Sequence, residues 1–403
     1  MQFRTKIPFL YSFIFTCIFT ADIILRTSYQ AGKSPVLQVL ALQLEASPAL
    51  LGFIVSVSTI TGFFFKPIVG WISDSYGKWI WLVIGTLIFC VPPFFYIFIS
   101  NPEQLILVRL IHGISTAIYG PITMAILAEI AGVKKVEFYS WFGLSRIFSY
   151  ILGPILGAVL LTLVDPKEVY TFIGLVSLLA FIPILTLRKK INHSQKLKIK
   201  KSIPIYLLFR TLKNSGVLII GVMETQTKIA IYAIKTFLPL MMLSAGNHIL
   251  EIGLFLSLQE AANAAVRPVS GTIVSKIGLK NSTITSLVLI SLGLFILSSQ
   301  GVTSTVWLVA LLLGIGQGVF GPSTNTLVAE TTAPSDLGLT FGIVGALSNA
   351  GKISGPIIAG ILATAMTLQS VFAIIGTIPL IVATYIFIAD PFRQRLQLDP
   401  EAH

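Results

Sequence analysis

Charge is what this chain has least of. Asp, Glu, Lys and Arg together make up 11% of its 403 residues, against about 25% in an ordinary soluble domain. That shortage excludes a protein whose whole surface meets water. Cysteine is nearly missing as well: the only two, Cys17 and Cys90, fall inside apolar stretches, so neither a disulfide framework nor a metal site is indicated. No nucleophile stands with a base, no metal-ligand cluster is seen and no phosphate-cradling loop is present, because Gly314-Ile-Gly316-Gln-Gly318 reads better as packing glycines inside a helix. An enzyme is therefore disfavoured, and no cofactor is called for.

What is abundant is apolar sequence, 55% of the chain, in stretches of about 20 residues, the length that crosses a hydrocarbon core of roughly 30 Å. Six such spans run Pro8 to Tyr29, Pro48 to Gly70, Trp79 to Ile99, Gln104 to Glu129, Tyr139 to Val164 and Val169 to Leu187. Six more run Gly216 to Leu240, Ile249 to Gly271, Ser282 to Ser299, Thr305 to Glu330, Leu339 to Thr364 and Gln369 to Ala389. Helix is the state they require, since an open strand leaves backbone groups unpaired in lipid and a barrel would alternate every second residue.

The net charge of +12 would suggest nucleic acid in a soluble protein. Here the basic residues have an address. Arg4, Lys6, Lys78, Lys134, Lys135, the run Arg188 to Lys201, Arg210, Lys213, Lys276, Lys280, Arg393 and Arg395 fall on one side of a twelve-span arrangement. Lys33 and Lys167 fall opposite. The excess of Lys and Arg marks the cytoplasmic side, which puts both termini inside at the plasma membrane and makes a nucleic-acid partner improbable. The start of the chain is not read as a cleaved signal, because Phe19 stands two residues before Ala21, where a small residue is needed, and Asp22 and Arg26 continue the helix.

Repetition organises the chain. Gly70-Trp-Ile-Ser-Asp74-Ser-Tyr-Gly77-Lys78 returns as Gly271-Thr-Ile-Val-Ser275-Lys-Ile-Gly278-Leu-Lys280, Tyr119-Gly120-Pro121 as Phe320-Gly321-Pro322, and Gly153-Pro154 as Gly355-Pro356. Each pair holds the same ordinal place in its half. Parallel repeats of six helices imply an axis along the membrane normal and a solute site near the midplane. The expected domains are an N-terminal six-helix bundle over 1–187, a basic cytoplasmic linker over 188–213, a C-terminal six-helix bundle over 214–390 and a cytoplasmic tail over 391–403. The linker is read as orienting and tethering before any regulatory or lipid-binding role.

On these residues the chain resembles the major facilitator superfamily over essentially its whole length. Gly70-x-x-x-Asp74-x-x-Gly77-Lys78 is similar to the family's loop signature, with Ser75 in place of the usual arginine, and Ser275 replaces the acid in the second copy. The resemblance implies a latch at Gly70, Asp74, Gly77 and Lys78, echoed at Gly271 and Gly278, with glycines making tight turns. Arg109-Leu-Ile-His112-Gly113 resembles the motif of proton-linked members, and Gly153-Pro154-x-x-Gly157 the antiporter motif, with Ser149 and Ala158 in place of glycines. It implies an all-α integral membrane protein of twelve transmembrane helices, in two pseudo-twofold-related six-helix bundles, working as a monomer on a small solute and on protons.

Ionisable groups in the spans complete the picture, since each costs about 2.5–3.5 kcal/mol at the bilayer centre and needs a cavity or partner. Asp22 with Arg26 and Glu224 with Lys228 are acid-to-base pairs four residues apart, on one helix face. The pairs stand on the first helix of each half, and the resemblance implies that helices one, four, seven and ten line the solute cavity. Asp22 lies roughly 21 Å from the inner face and Arg109 about 8 Å below the outer one, so the two share a level, and Arg109 is a candidate partner that could help set the proton affinity of Asp22, with His112 assisting. Glu260 could pair across the halves with Arg146, or with Lys352, or bind solute or proton, whereas Lys235 is read as snorkelling.

Bases in the spans outnumber acids, which favours a solute bearing a carboxylate or phosphate. Phe15, Phe19, Tyr119, Tyr232 and Phe320 could add apolar contacts. The expected function is proton-coupled efflux of an organic anion, zwitterion or drug-like compound. The alternative is uptake of an anionic nutrient or metal-chelating, siderophore-like metabolite, which counterflow with labelled carboxylates and drugs would separate. A non-transporting receptor on the same scaffold is a weaker rival, lacking a large extra-membrane domain.

Overall fold

Apolar runs interrupted by Pro, Gly and capping residues fold into helices of the expected order in the computed structural model. The structure describes residues 13–76, 78–131, 135–188, 211, 214–333 and 336–391. The first half holds α1 (Phe13–Lys33), α2 (Val36–Gln43), α3 (Pro48–Tyr76), α4 (Lys78–Cys90), α5 (Pro92–Phe95), α6 (Pro102–Ala131), α7 (Lys135–Leu161), α8 (Pro166–Leu178) and α9 (Phe181–Leu185). The second holds α10 (Ser215–Ser244), α11 (Ile249–Ile277), α12 (Leu279–Gln300), α13 (Val306–Thr331), α14 (Leu337–Leu362) and α15 (Leu368–Ala389). No strand occurs among the described residues.

The expected spans are present with four differences, one being that the sixth parts into α8 and α9 at a turn over Leu179 and Ala180. Several helices outrun them, α11 reaching Ile277 beyond the expected Gly271. The third span breaks after Cys90 into α5 and a 3-10 turn at Tyr96–Phe98, because Pro92 and Pro93 remove two backbone donors. The short α2 was not expected. Among the described residues, ten helical stretches are long and apolar enough to cross a membrane by length and composition. The two long helices outside that set, α1 and α14, are diluted by Asp22 and Arg26 and by Ser348, Asn349 and Lys352.

Several helix starts are fixed by side chains. Asn101 Oδ1 accepts from Gln104 N (2.9 Å) before α6, His248 and Glu251 form a capping box before α11, and Thr367 caps α15 through Ser370 N. Each satisfies backbone donors that a helix leaves unpaired. Gly278 alone joins α11 to α12 with φ +82, a left-handed conformation that favours glycine. This is the tight turn expected there. In the first copy Gly77 lies outside the described residues, as do the side chain of Asp74, Arg4, Lys6, Lys134, the tail from 392 and the linker apart from Arg188 and Thr211.

Two compact units result: Met1–Ala46 with Val57–Lys200, and Ser47–Ser56 with Lys201–His403. In the first, α1 packs most extensively on α7, and α4 on α6. In the second the counterparts repeat this, α10 on α14 and α12 on α13. Each core draws on matching helices, Phe15, Ile18, Phe89, Ile118 and Phe142 in one and Val217, Met223, Leu287, Phe320 and Ile343 in the other. Lipid tails are as apolar as Leu, so such contacts rest on close approach more than on escape from water. Glycine provides that approach. A Cβ on Gly157 would lie 2.3 Å from Ala31 O, and one on Gly153 2.4 Å from Gln30 Cβ, where α7 meets α1. Gly351 meets Thr225 O at 2.2 Å where α14 meets α10, and Gly314 meets Gln259 O at 2.4 Å.

Candidate functional site

In the first unit the charged residues of α1 sit inside the fold. Asp22 is fully buried and Arg26, one turn on, donates from Nε to its Oδ1 at 2.7 Å. From α7, Ser145 donates to Oδ2. The Ser145 hydroxyl also lies near Phe142 O, but a carboxylate is the stronger acceptor. Ser149 continues the chain, donating to Ser145 O at 2.7 Å and accepting from Thr27 at 3.1 Å. Gly153, Pro154 and Gly157 lie further along α7, so the small-residue motif presses the two helices together beside this acid.

The second unit repeats the arrangement. Glu224 on α10 faces Lys228 at 3.8 Å, and accepts from Ser348 on α14 at 3.1 Å and from Thr324 on α13 at 2.8 Å. Asp22 to Glu224 is an offset of 202 residues, and Ser145 to Ser348 one of 203. The serines were not anticipated from sequence. A serine in a helix ordinarily bonds its own backbone, and only the matching offset could have singled these out.

Arg109 has different company from that expected. The structure gives Asp22 to Arg26 and Ser145, while Arg109, 1% exposed, donates from its guanidinium to Ser58 at 2.6 Å. Its Nε has no hydrogen-bond partner, and no carboxylate forms a salt bridge with it among the described residues. Its neighbours are rings. Tyr29 lies 6.0 Å from the guanidinium carbon; His112 stands edge-on to Tyr29, with Nδ1 3.4 Å from Tyr96 Oη; and Tyr96 stacks on Tyr170 at 3.6 Å. The shared level estimated for Asp22 and Arg109 therefore did not decide the pairing, because the turn-to-turn neighbour on α1 reaches the acid first.

Glu260 is likewise reassigned. Its partner is Lys235 of α10, with Asn263 donating to its other oxygen at 3.2 Å, and Arg267 donating onward to Asn263 at 3.2 Å. Lys235, read as a snorkelling residue, is thus an ion-pair member, while Lys352 donates to Asn349 at 3.0 Å. Arg146 is half-buried with Nε unpartnered. Of the latch residues, Lys78 pairs with Glu129 of α6, and Gly271 has open space around it. Phe15, Tyr119 and Phe320 are packed in the cores, and Tyr232 lies 5.8 Å from Lys235 Nζ.

An all-helical chain built twice over, with an acid, a base and a hydroxyl held inside each membrane-spanning unit, is a membrane transporter and not a catalyst. It belongs to the Major Facilitator Superfamily, whose profile matches residues 13–227 and again 227–402. The chain is 25% identical to an uncharacterized transporter of this type from Methanocaldococcus jannaschii, over 84% of this chain and 88% of that one. It is 24% identical to multidrug resistance protein 1 of Bacillus subtilis, over 81% and 84%, and 22% identical to the multi-drug resistance efflux pump PmrA of Streptococcus pneumoniae, over 80% and 81%. Among solved structures, the nucleoside transporter NupG superposes with a TM-score of 0.76 at 16% identity, over 93% of this chain and 98% of that one, and shares its fold.

Proposed function

We propose that the chain exports a small organic solute, an organic anion, zwitterion or drug-like compound, by proton-coupled alternating access at the plasma membrane, with both termini cytoplasmic. The reading is carried by the duplicated cluster: Asp22 with Arg26 and Ser145, and Glu224 with Lys228 and Ser348. A carboxylate held between a base and a hydroxyl can exchange its charge for a proton or for contact with a solute, and both halves carry one. A multidrug resistance relative at 24% identity and a multi-drug resistance efflux pump at 22%, each over about four fifths of the chain, support the direction. Asp22, Glu260, Arg109 and His112 are assigned to proton coupling, and Asp22, Arg26, Arg109, Glu224, Lys228 and Glu260 to the solute. Lys352 is kept as a second partner that Glu260 could take during the cycle.

The test is transport into proteoliposomes under an imposed pH gradient, with a panel of labelled carboxylates and drugs. Asp22→Asn combined with Glu260→Gln is expected to lower gradient-driven transport by about tenfold or more, a factor worth about 1.4 kcal/mol. Wild-type rates in the double variant would reject the coupling scheme.

A further inference from the structure

The surface of the first unit carries a cavity of about 300 Å³ between α1, α7 and α8. Thr27, Ser28, Leu152, Leu156, Phe172 and Val176 are among its walls. Its rim is open, with Leu152 and Leu156 each 44% exposed and Phe172 50% exposed. On helices that cross a bilayer, exposed side chains of this kind face acyl chains, so the groove is continuous with the lipid-facing surface.

The lining also disfavours water. Thr27 and Ser28 supply the only side-chain polar atoms, and the Thr27 hydroxyl is already given to Ser149. An ordered water needs two to four polar partners, and an empty groove forfeits the dispersion contacts of its walls. Along α1 the lining runs from Ile23 to Ala31, about 12 Å at the helical rise. That is under half of a hydrocarbon core of roughly 30 Å, the depth of one leaflet. At the interfacial end α1 finishes with Lys33, and Lys167 opens α8. Asp165 caps α8 and Glu168 lies in its first turn, so this end offers a headgroup both signs of charge.

We propose that this groove is a binding site for one acyl chain of a phospholipid, whose headgroup lies at the level of Lys33, Lys167, Asp165 and Glu168. The chain wedges against the α1 and α7 contact, where Thr27 and Ser149 lead to Ser145 and Asp22. The lipid would therefore brace the helix pair that carries the acid, whatever solute the protein moves.

Native mass spectrometry of the full-length protein, purified in mild detergent with added palmitoyl-oleoyl phosphatidylglycerol, tests this by counting retained lipids. Val176→Trp fills the groove and is expected to retain one lipid fewer than wild type. Leu175→Trp, whose native side chain is 54% exposed and outside the groove, is expected to retain the wild-type number. Equal counts for wild type and Val176→Trp would overturn the site, as would the same loss in Leu175→Trp. Should Val176→Trp fail to fold, Ser28→Leu supports the same count.

Discussion

At the scale of single residues, the two acid clusters make unequal demands. Asp22 is fully buried with a close base, whereas Glu224 has its base at 3.8 Å and relies on two hydroxyls. Ser145→Ala removes a hydrogen bond to a buried charge, worth about 1.5–3 kcal/mol, and is expected to lower the thermal midpoint of the detergent-purified protein. Ser348→Ala is expected to cost less, because Thr324 still donates to Glu224; an equal or larger loss would count against this division of labour. The acids and their bases were legible in the sequence because they are local, four positions apart. Their hydroxyl donors were not, since Ser145 and Ser348 come from another helix and look in sequence like any other small polar residue. The same limit hid the Lys235 partner of Glu260 and the ring cage of Arg109, both of which depend on how helices are turned against each other.

At the scale of helices, the packing is set by where side chains are absent. Gly157→Ala and Gly351→Ala each place a methyl within 2.3 Å of a backbone oxygen. Overpacking of this kind costs about 1–3 kcal/mol, so both variants are expected to melt earlier in a thermal-shift assay. Gly345→Ala in α14 meets nothing within 4 Å and is expected to stay within about 0.5 kcal/mol of wild type. The antiporter-like glycines and the Gly314 to Gly318 run were readable as packing positions from sequence, and the contacts of α7 with α1 and of α13 with α11 bear this out. The break at Pro92 and Pro93 was not read, because hydrophobicity alone continues smoothly through it, and α2 was not, because its 8 residues between Pro35 and Glu45 are too short to cross a membrane.

At the scale of the whole molecule, the asymmetry of Lys and Arg predicts orientation. The only native cysteines are Cys17 and Cys90, both buried, so the background for cysteine labelling is low. Lys167→Cys is expected to react with a membrane-impermeant maleimide in intact cells, and Lys280→Cys only after permeabilisation; the reverse pattern would invert the topology. The duplication itself was visible in the sequence, since recurring glycines and prolines kept an offset of 201 or 202 residues across the chain. One arrangement also constrains how the protein can move. Asp22 and Arg26 ride on the same helix, as do Glu224 and Lys228, so tilting or sliding that helix carries acid and base together and cannot pull them apart. Lys235 and Glu260 belong to two different helices, and theirs is the attachment that a shift of one helix past its neighbour can undo.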